Sequence, residues 1–160
     1  MENLACSELS YLLEETGDSA SKVEKTGVSG LIVAKTTCDQ FDVVKKLREM
    51  LHERPYEFRY TLRIIPIEKV VRTDLGQIQS ASTELGLRIM EKETFRITLE
   101  KRFTQTHTRD IIEAAAENIK REVNLNNPDK ILLIEVVGGL TGISLIKSDE
   151  ILVVMKEKML

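Results

Sequence analysis

FRITLEKRFTQTHTRDIIEAAAENIKREV, Phe95 to Val123, is the stretch from which the fold is read. Phe95, Ile97 and Leu99 alternate with Arg96, Thr98 and Glu100, the two-residue period of a strand with one buried side. Ile111, Ile112, Ala115, Ala116, Ile119 and Val123 then recur at helical spacing, which predicts a helix reaching the end of the stretch. Between them runs a loop carrying Lys101, Arg102, His107 and Arg109, with Thr104, Thr106 and Thr108 interspersed. A strand, a basic loop and a helix in immediate succession belong to layered α/β or α+β architectures.

The loop sits where a helix begins. Its cations and the unpaired first-turn amides can therefore converge on one anion. Arginine and lysine supply charge-assisted hydrogen bonds to a phosphate or carboxylate, and the threonine hydroxyls add donors. Thr108 fits the N-cap and Asp110 complements the helix dipole. The same residues also describe a capped helix behind a solvated polar loop. Phe103, inside the loop, fits either a base-stacking aromatic or a core anchor. Tyr56 and Tyr60 are the other aromatics near basic residues.

On the C-terminal side, NLNNPDK reads as a turn, and ILLIEVVG from Ile131 as a central strand covered on both faces. LTGISLIKS and EILVVMKEK read as two further strands. On the N-terminal side, DLGQIQSASTELGLRIM places Leu75, Ile78, Ala81, Leu85 and Ile89 on one helical face. Asp74 starts this helical region, and Gly76 and Gly86 leave open one helix or two shorter ones. EFRYTLRIIPIEKVVR alternates Phe58, Tyr60 and Leu62 against Arg59, Thr61 and Arg63, a strand pattern, with Pro66 at an edge, a bulge or the strand end. Earlier still come a helix over residues 3–16 ended by Gly17, strands at 21–26 and 29–36, and a helix that Thr37, Cys38 and Asp39 all offer to start and that Pro55 stops. The fold class expected is α+β, an α/β sandwich, with a boundary near Arg72-Thr73 that makes two domains, 1–72 and 73–160.

The chain has 160 residues and a net charge of −3, with 42% hydrophobic and 31% charged residues. The charge is uneven. Residues 1–40 carry −4, residues 41–72 carry +3, and the rest is near neutral apart from the loop. That is too little for a duplex binder relying on many phosphate contacts, so DNA is not an expected partner; a selective site with few phosphate contacts fits. No apolar run approaches the roughly 20 residues that cross a bilayer, so no membrane partner is expected. Cys6 and Cys38 form no CxxC pair and read as free thiols, which sets a cytoplasmic expectation. His52 and His107 have no partner at metal-ligand spacing. Dinucleotide, P-loop and nucleophile-elbow signatures do not occur, so no cofactor and no catalytic activity are expected.

ETFRITLEKRFTQTHTRDIIEAAAENI followed by VNLNNPDKILLIEVVGGLTGISLI resembles the THUMP domain, an RNA-binding domain of tRNA-modification proteins. GLIVAKTTCDQFDVVKKL and EFRYTLRIIPIEKVVRTDL resemble the ferredoxin-like domain that commonly precedes it. The resemblance spans nearly the whole chain, although the family's first domain opens with a strand and this one opens with a helix, as if that strand were lacking. In layout the chain resembles the stand-alone THUMP proteins that assist tRNA cytidine N4-acetylation. The resemblance implies a tRNA-binding adaptor that holds the acceptor stem and 3′ CCA end for a separate tRNA cytidine acetyltransferase. Most THUMP enzymes append a catalytic domain; a chain stopping at Leu160 is expected to be an adaptor.

Residue by residue, the resemblance implies RNA contacts at Lys101, Arg102, Thr104, His107, Thr108 and Arg109, with Gly142 and Ser144 in the later strand. Arg59 and Arg63 would be the first domain's contribution, forming a second wall of the site. Lys147, on the strand after Gly142, belongs either to the RNA surface or to ordinary surface charge. A different class also fits the near-neutral charge: a ferredoxin-like regulatory module binding a metabolite or a protein partner through an exposed sheet face.

Overall fold

The computed structural model describes residues 2–159. The chain divides into two compact units, one of residues 1–66 with 149–160 and one of residues 67–148. The sequence boundary at Arg72-Thr73 falls inside the second unit. Two pairings displace it. Strand β4 (Lys69–Arg72) bonds to β8 (Leu140–Ile146), and β9 (Leu152–Val153) bonds back to β3 (Arg63–Ile64).

In the first unit, α1 (Glu2–Glu15) buries Leu9, Leu12 and Leu13. Gly17, at φ 99°, ends it, with the Gly17 amide on the Glu14 carbonyl and the Asp18 amide on Leu13. This paired closure needs a left-handed residue, which glycine adopts without strain. The β1 (Lys22–Lys25) and β2 (Ile32–Lys35) strands pair antiparallel. In α2 (Gln40–Glu53), the Asp39 carboxylate caps the amides of Phe41 and Asp42. Val43, Val44, Leu47, Met50 and Leu51 of α2 join the α1 leucines, Phe58, Leu152 and Val154 in one core. Among the described residues the unit's strands make two separate two-stranded sheets.

Two expectations fail here. Residues 58–62 are not a strand. The Glu8 carboxylate on α1 accepts hydrogen bonds from the successive amides of Arg59, Tyr60 and Thr61, at 2.6, 3.0 and 2.7 Å. Those amides are therefore withdrawn from any ladder; Phe58 is buried while Leu62 is 60% exposed. The C-terminal strand is also mostly absent. Among the described residues of this segment only Leu152 and Val153 pair, and α5 (Val154–Lys158) follows. Arg48 of α2 holds this segment, donating to Glu157 and to the carbonyls of Asp149 and Ile151.

The second unit is a five-stranded sheet in the order β4-β8-β7-β5-β6, with β5 (Thr94–Arg102) parallel to β7 (Lys130–Val137) and to β6 (Glu122–Val123). A single helix, α3 (Leu75–Gly86), is capped by Asp74. It packs with α4 (Thr108–Ala116) on the sheet face carrying Phe95, Leu132, Ile134, Val136 and Ile143. Gly86 serves close approach: a Cβ there would lie 2.8 Å from Ile119 Cγ1. The β7 residues Ile131 to Val136 are all buried, as a centrally covered strand requires. The β7–β8 hairpin turns on Gly138-Gly139, with φ 59° at Gly138, the pattern of a two-residue type II′ loop.

The second helix stops short of the predicted Val123. Residues 122–123 instead pair with the start of β5, and Arg121 Nε donates to the carbonyls of Ile89 and Met90. The helical repeat of Ile119 and Val123 thus loses to sheet-edge pairing; Val123 is 57% exposed.

Candidate functional site

Strand alternation settles much of the loop's geometry. In β5 the odd residues Phe95, Ile97 and Leu99 face the helices, and Lys101 follows in that series at the strand's end. Arg102 lies on the opposite face. The two cations that look like one basic pair in sequence are therefore sent to different sides of the sheet.

Lys101 is exposed, and its ammonium donates to the Thr106 carbonyl at 2.9 Å. Thr104 Oγ1 lies 3.2 Å from Thr106 Oγ1 and accepts from the Thr106 amide at 3.3 Å. These bonds draw residues 101–106 into a closed turn, with Lys101 folded over the loop it enters. His107, extended at φ −67° and ψ 139°, is the N-cap of α4 and makes no side-chain cap bond; Thr108 is the first helical residue, not the cap. A threonine cap would need Thr108 itself outside the helical region, and the chain enters the helix one residue earlier. The first-turn amides of Thr108, Arg109 and Asp110 have no side-chain acceptor among the described residues, whereas Asp39 and Asp74 cap α2 and α3.

Arg109 projects into solvent, 86% exposed, and its Nε donates to Glu113 one turn on, at 2.8 Å. That bond pushes the guanidinium pKa above its already high usual value. Asp110, in the first turn, stabilises the dipole and offsets part of the local positive charge.

Arg102 is differently employed. Its guanidinium donates to Glu135 Oε2 at 2.8 Å, and Glu135 Oε1 is buried without a partner among the described residues. Gly142 lies directly across the β7–β8 ladder from Glu135. Ile67 fills the space over Gly142, approaching within 3.0 Å of where a Cβ would be. Ser144 is fully buried, its hydroxyl donating to Glu68, which also accepts from Arg88 and the Leu145 amide. Ser144 thus serves as an internal polar tie in this structure. Lys147 is exposed just beyond β8.

The structure brings Lys101, Thr104, His107, Thr108 and Arg109 into one segment around the α4 start, and sets Arg102, Gly142 and Ser144 on the other sheet face. Arg59 and Arg63 belong to the first unit. Both are exposed; Arg59 Nε reaches the Tyr56 carbonyl at 3.4 Å. Gly138, which shapes the neighbouring turn, was signalled in the sequence by the Gly-Gly pair between two apolar runs.

No family model matches the chain. MJ0421 of Methanocaldococcus jannaschii, an uncharacterized protein, is 24% identical over 141 residues, covering 85% of this chain and 36% of that protein. The crystal structure of PH1313 from Pyrococcus horikoshii Ot3 is similar with a TM-score of 0.67 at 19% identity, over 91% of this chain and 48% of that one. TrmN from Thermus thermophilus is a looser likeness, with a TM-score of 0.38 at 14% identity, over 58% of this chain and 31% of the other. The protein therefore has an α+β fold, and the particular fold is that of PH1313. It spans less than half the length of the proteins it matches.

Proposed function

We propose that this chain is a THUMP-type RNA-binding module that holds tRNA at its acceptor stem and unpaired 3′ CCA end. One observation carries the reading: the exposed cations Lys101 and Arg109 and the exposed His107 imidazole gather at the start of α4, whose first-turn amides have no side-chain cap among the described residues. Uncapped amides, the positive end of a helix dipole and exposed cations together suit a phosphodiester oxygen. The order strand, Lys-Arg, polar loop, helix, Asn-Pro-Asp turn and strand supports the same reading through its resemblance to THUMP. In the finer form of the proposal, the module carries no chemistry of its own. It presents cytoplasmic tRNA to a separate cytidine acetyltransferase, which would use acetyl-CoA and ATP.

Filter binding of a tRNA transcript over a range of salt tests the loop's role. Lys101→Ala with Arg109→Ala should weaken binding and flatten the salt dependence by about 0.7–0.9 in log–log slope for each phosphate no longer neutralised. Unchanged affinity and slope in a folded double variant would place the RNA elsewhere or remove it altogether.

A further inference from the structure

We propose that Phe103 is a stacking platform for an unpaired nucleobase. The inference deepens the RNA reading above and rests on it. Phe103 has φ 58°, and among the described residues it is the non-glycine with positive φ. A bulky side chain in the left-handed region is a true outlier, since Cβ crowds the backbone there. Positions of this kind are normally given to glycine. A phenylalanine at one indicates that the ring itself is used.

The conformation determines where the ring goes. Continuing the alternation of Phe95, Ile97 and Leu99, residue 103 would again face the helices. The left-handed turn breaks the series after Arg102, whose carbonyl accepts from the Gly138 amide at 2.8 Å. Phe103 is consequently 74% exposed rather than packed in the core. It follows the strand-end cations directly in the chain and lies within the turn closed by Lys101 and Thr106. An exposed aromatic beside backbone-binding cations is the combination that holds single-stranded nucleic acid: charge tracks the phosphates while a base stacks on the ring. A base pair inside a duplex is already stacked on both faces, so the platform favours unpaired nucleotides. Sequence preference would be weak, because every base has a stackable face.

The test uses the whole chain, tRNA with its single-stranded 3′ end, the same tRNA with abasic 3′ nucleotides, and a blunt RNA duplex. Phe103→Ala should weaken binding to intact tRNA about tenfold or more. The salt slope should stay unchanged, since the ring neutralises no phosphate charge, and duplex binding should be unaffected. Phe103→Trp should retain affinity. It would also introduce the chain's single tryptophan, as the sequence has none. Its fluorescence should be quenched by intact tRNA and much less by the abasic form. Wild-type affinity in Phe103→Ala, or equal quenching by both tRNAs, overturns the stacking proposal while leaving the RNA reading in place. Failure of the wild-type chain to bind any of the RNAs overturns both.

Discussion

Glu8→Ala should unfold the segment that carries Arg59 and Arg63 before anything else in its unit is disturbed. The Glu8 carboxylate bridges three successive amides, with Oε1 on Arg59 and Tyr60 and Oε2 on Tyr60 and Thr61. The Arg59 amide is in an exposed contact and can turn to water after truncation. The Tyr60 and Thr61 amides are partly buried and have no such substitute. A hydrogen bond to a charged group contributes about 1.5–3 kcal/mol, so two of them amount to about 3 kcal/mol at the lower end. In a unit of under 100 residues each kcal/mol moves the melting temperature by about 4–8 °C, giving a fall of about 12 °C or more. Glu8→Gln, which keeps one acceptor oxygen, should lose about half as much. Thermal melts followed by circular dichroism give the magnitude, and hydrogen exchange at residues 59–61 assigns it to the segment. A melting temperature within about 3 °C of wild type, with unchanged exchange at those amides, would mean that the Glu8 carboxylate does not hold this segment.

Three further perturbations have defined outcomes. Arg102→Ala strands the Glu135 carboxylate, which is 9% exposed, and should destabilise the second unit by about 2–3 kcal/mol; adding Glu135→Gln should recover much of that in urea unfolding. Gly86→Ala drives a methyl group into Ile119 and should cost about 1–2 kcal/mol despite better helix propensity, with non-additive rescue on adding Ile119→Ala. Lys130, hydrogen-bonded to Glu93, holds that carboxyl below the usual glutamate range, aided by the Met90 amide. Because the folded pKa is depressed, this stabilisation is complete above the unfolded glutamate value of about 4.3 and is lost as pH falls through the folded value. Acid melts of Glu93→Gln should therefore converge on wild type at low pH and separate from it near neutrality.

The sequence was legible wherever local periodicity and tertiary demand agree. The Asp74 start of α3, the Gly17 stop and the buried run of β7 follow from residue patterns, whereas Thr37, Cys38 and Asp39 all offered a start for α2 and the structure picks Asp39 as its cap. It misled where a distant group overrode the local pattern. Phe58, Tyr60 and Leu62 alternate like a strand, yet a carboxylate about 50 residues away on α1 claims the amides. Ile119 and Val123 continue a helical stripe, yet the open edge of β5 takes residues 122–123. The site shows the same division. A basic loop at a helix start could be read directly, but strand parity separates Lys101 from Arg102, and the Glu135 partner of Arg102 lies 33 positions away. Nothing in the local sequence distinguishes a core phenylalanine from the outward Phe103, because its orientation depends on one backbone angle.

Binding of a tRNA transcript with and without its 3′ CCA end, measured side by side at one salt concentration, decides whether the chain grips the acceptor end. A module that grips the acceptor end should lose affinity about tenfold or more when the unpaired nucleotides are removed. Equal affinity for the two transcripts would mean that the acceptor end is not what the chain recognises, and no measurable binding of either would mean that it is no tRNA-binding module.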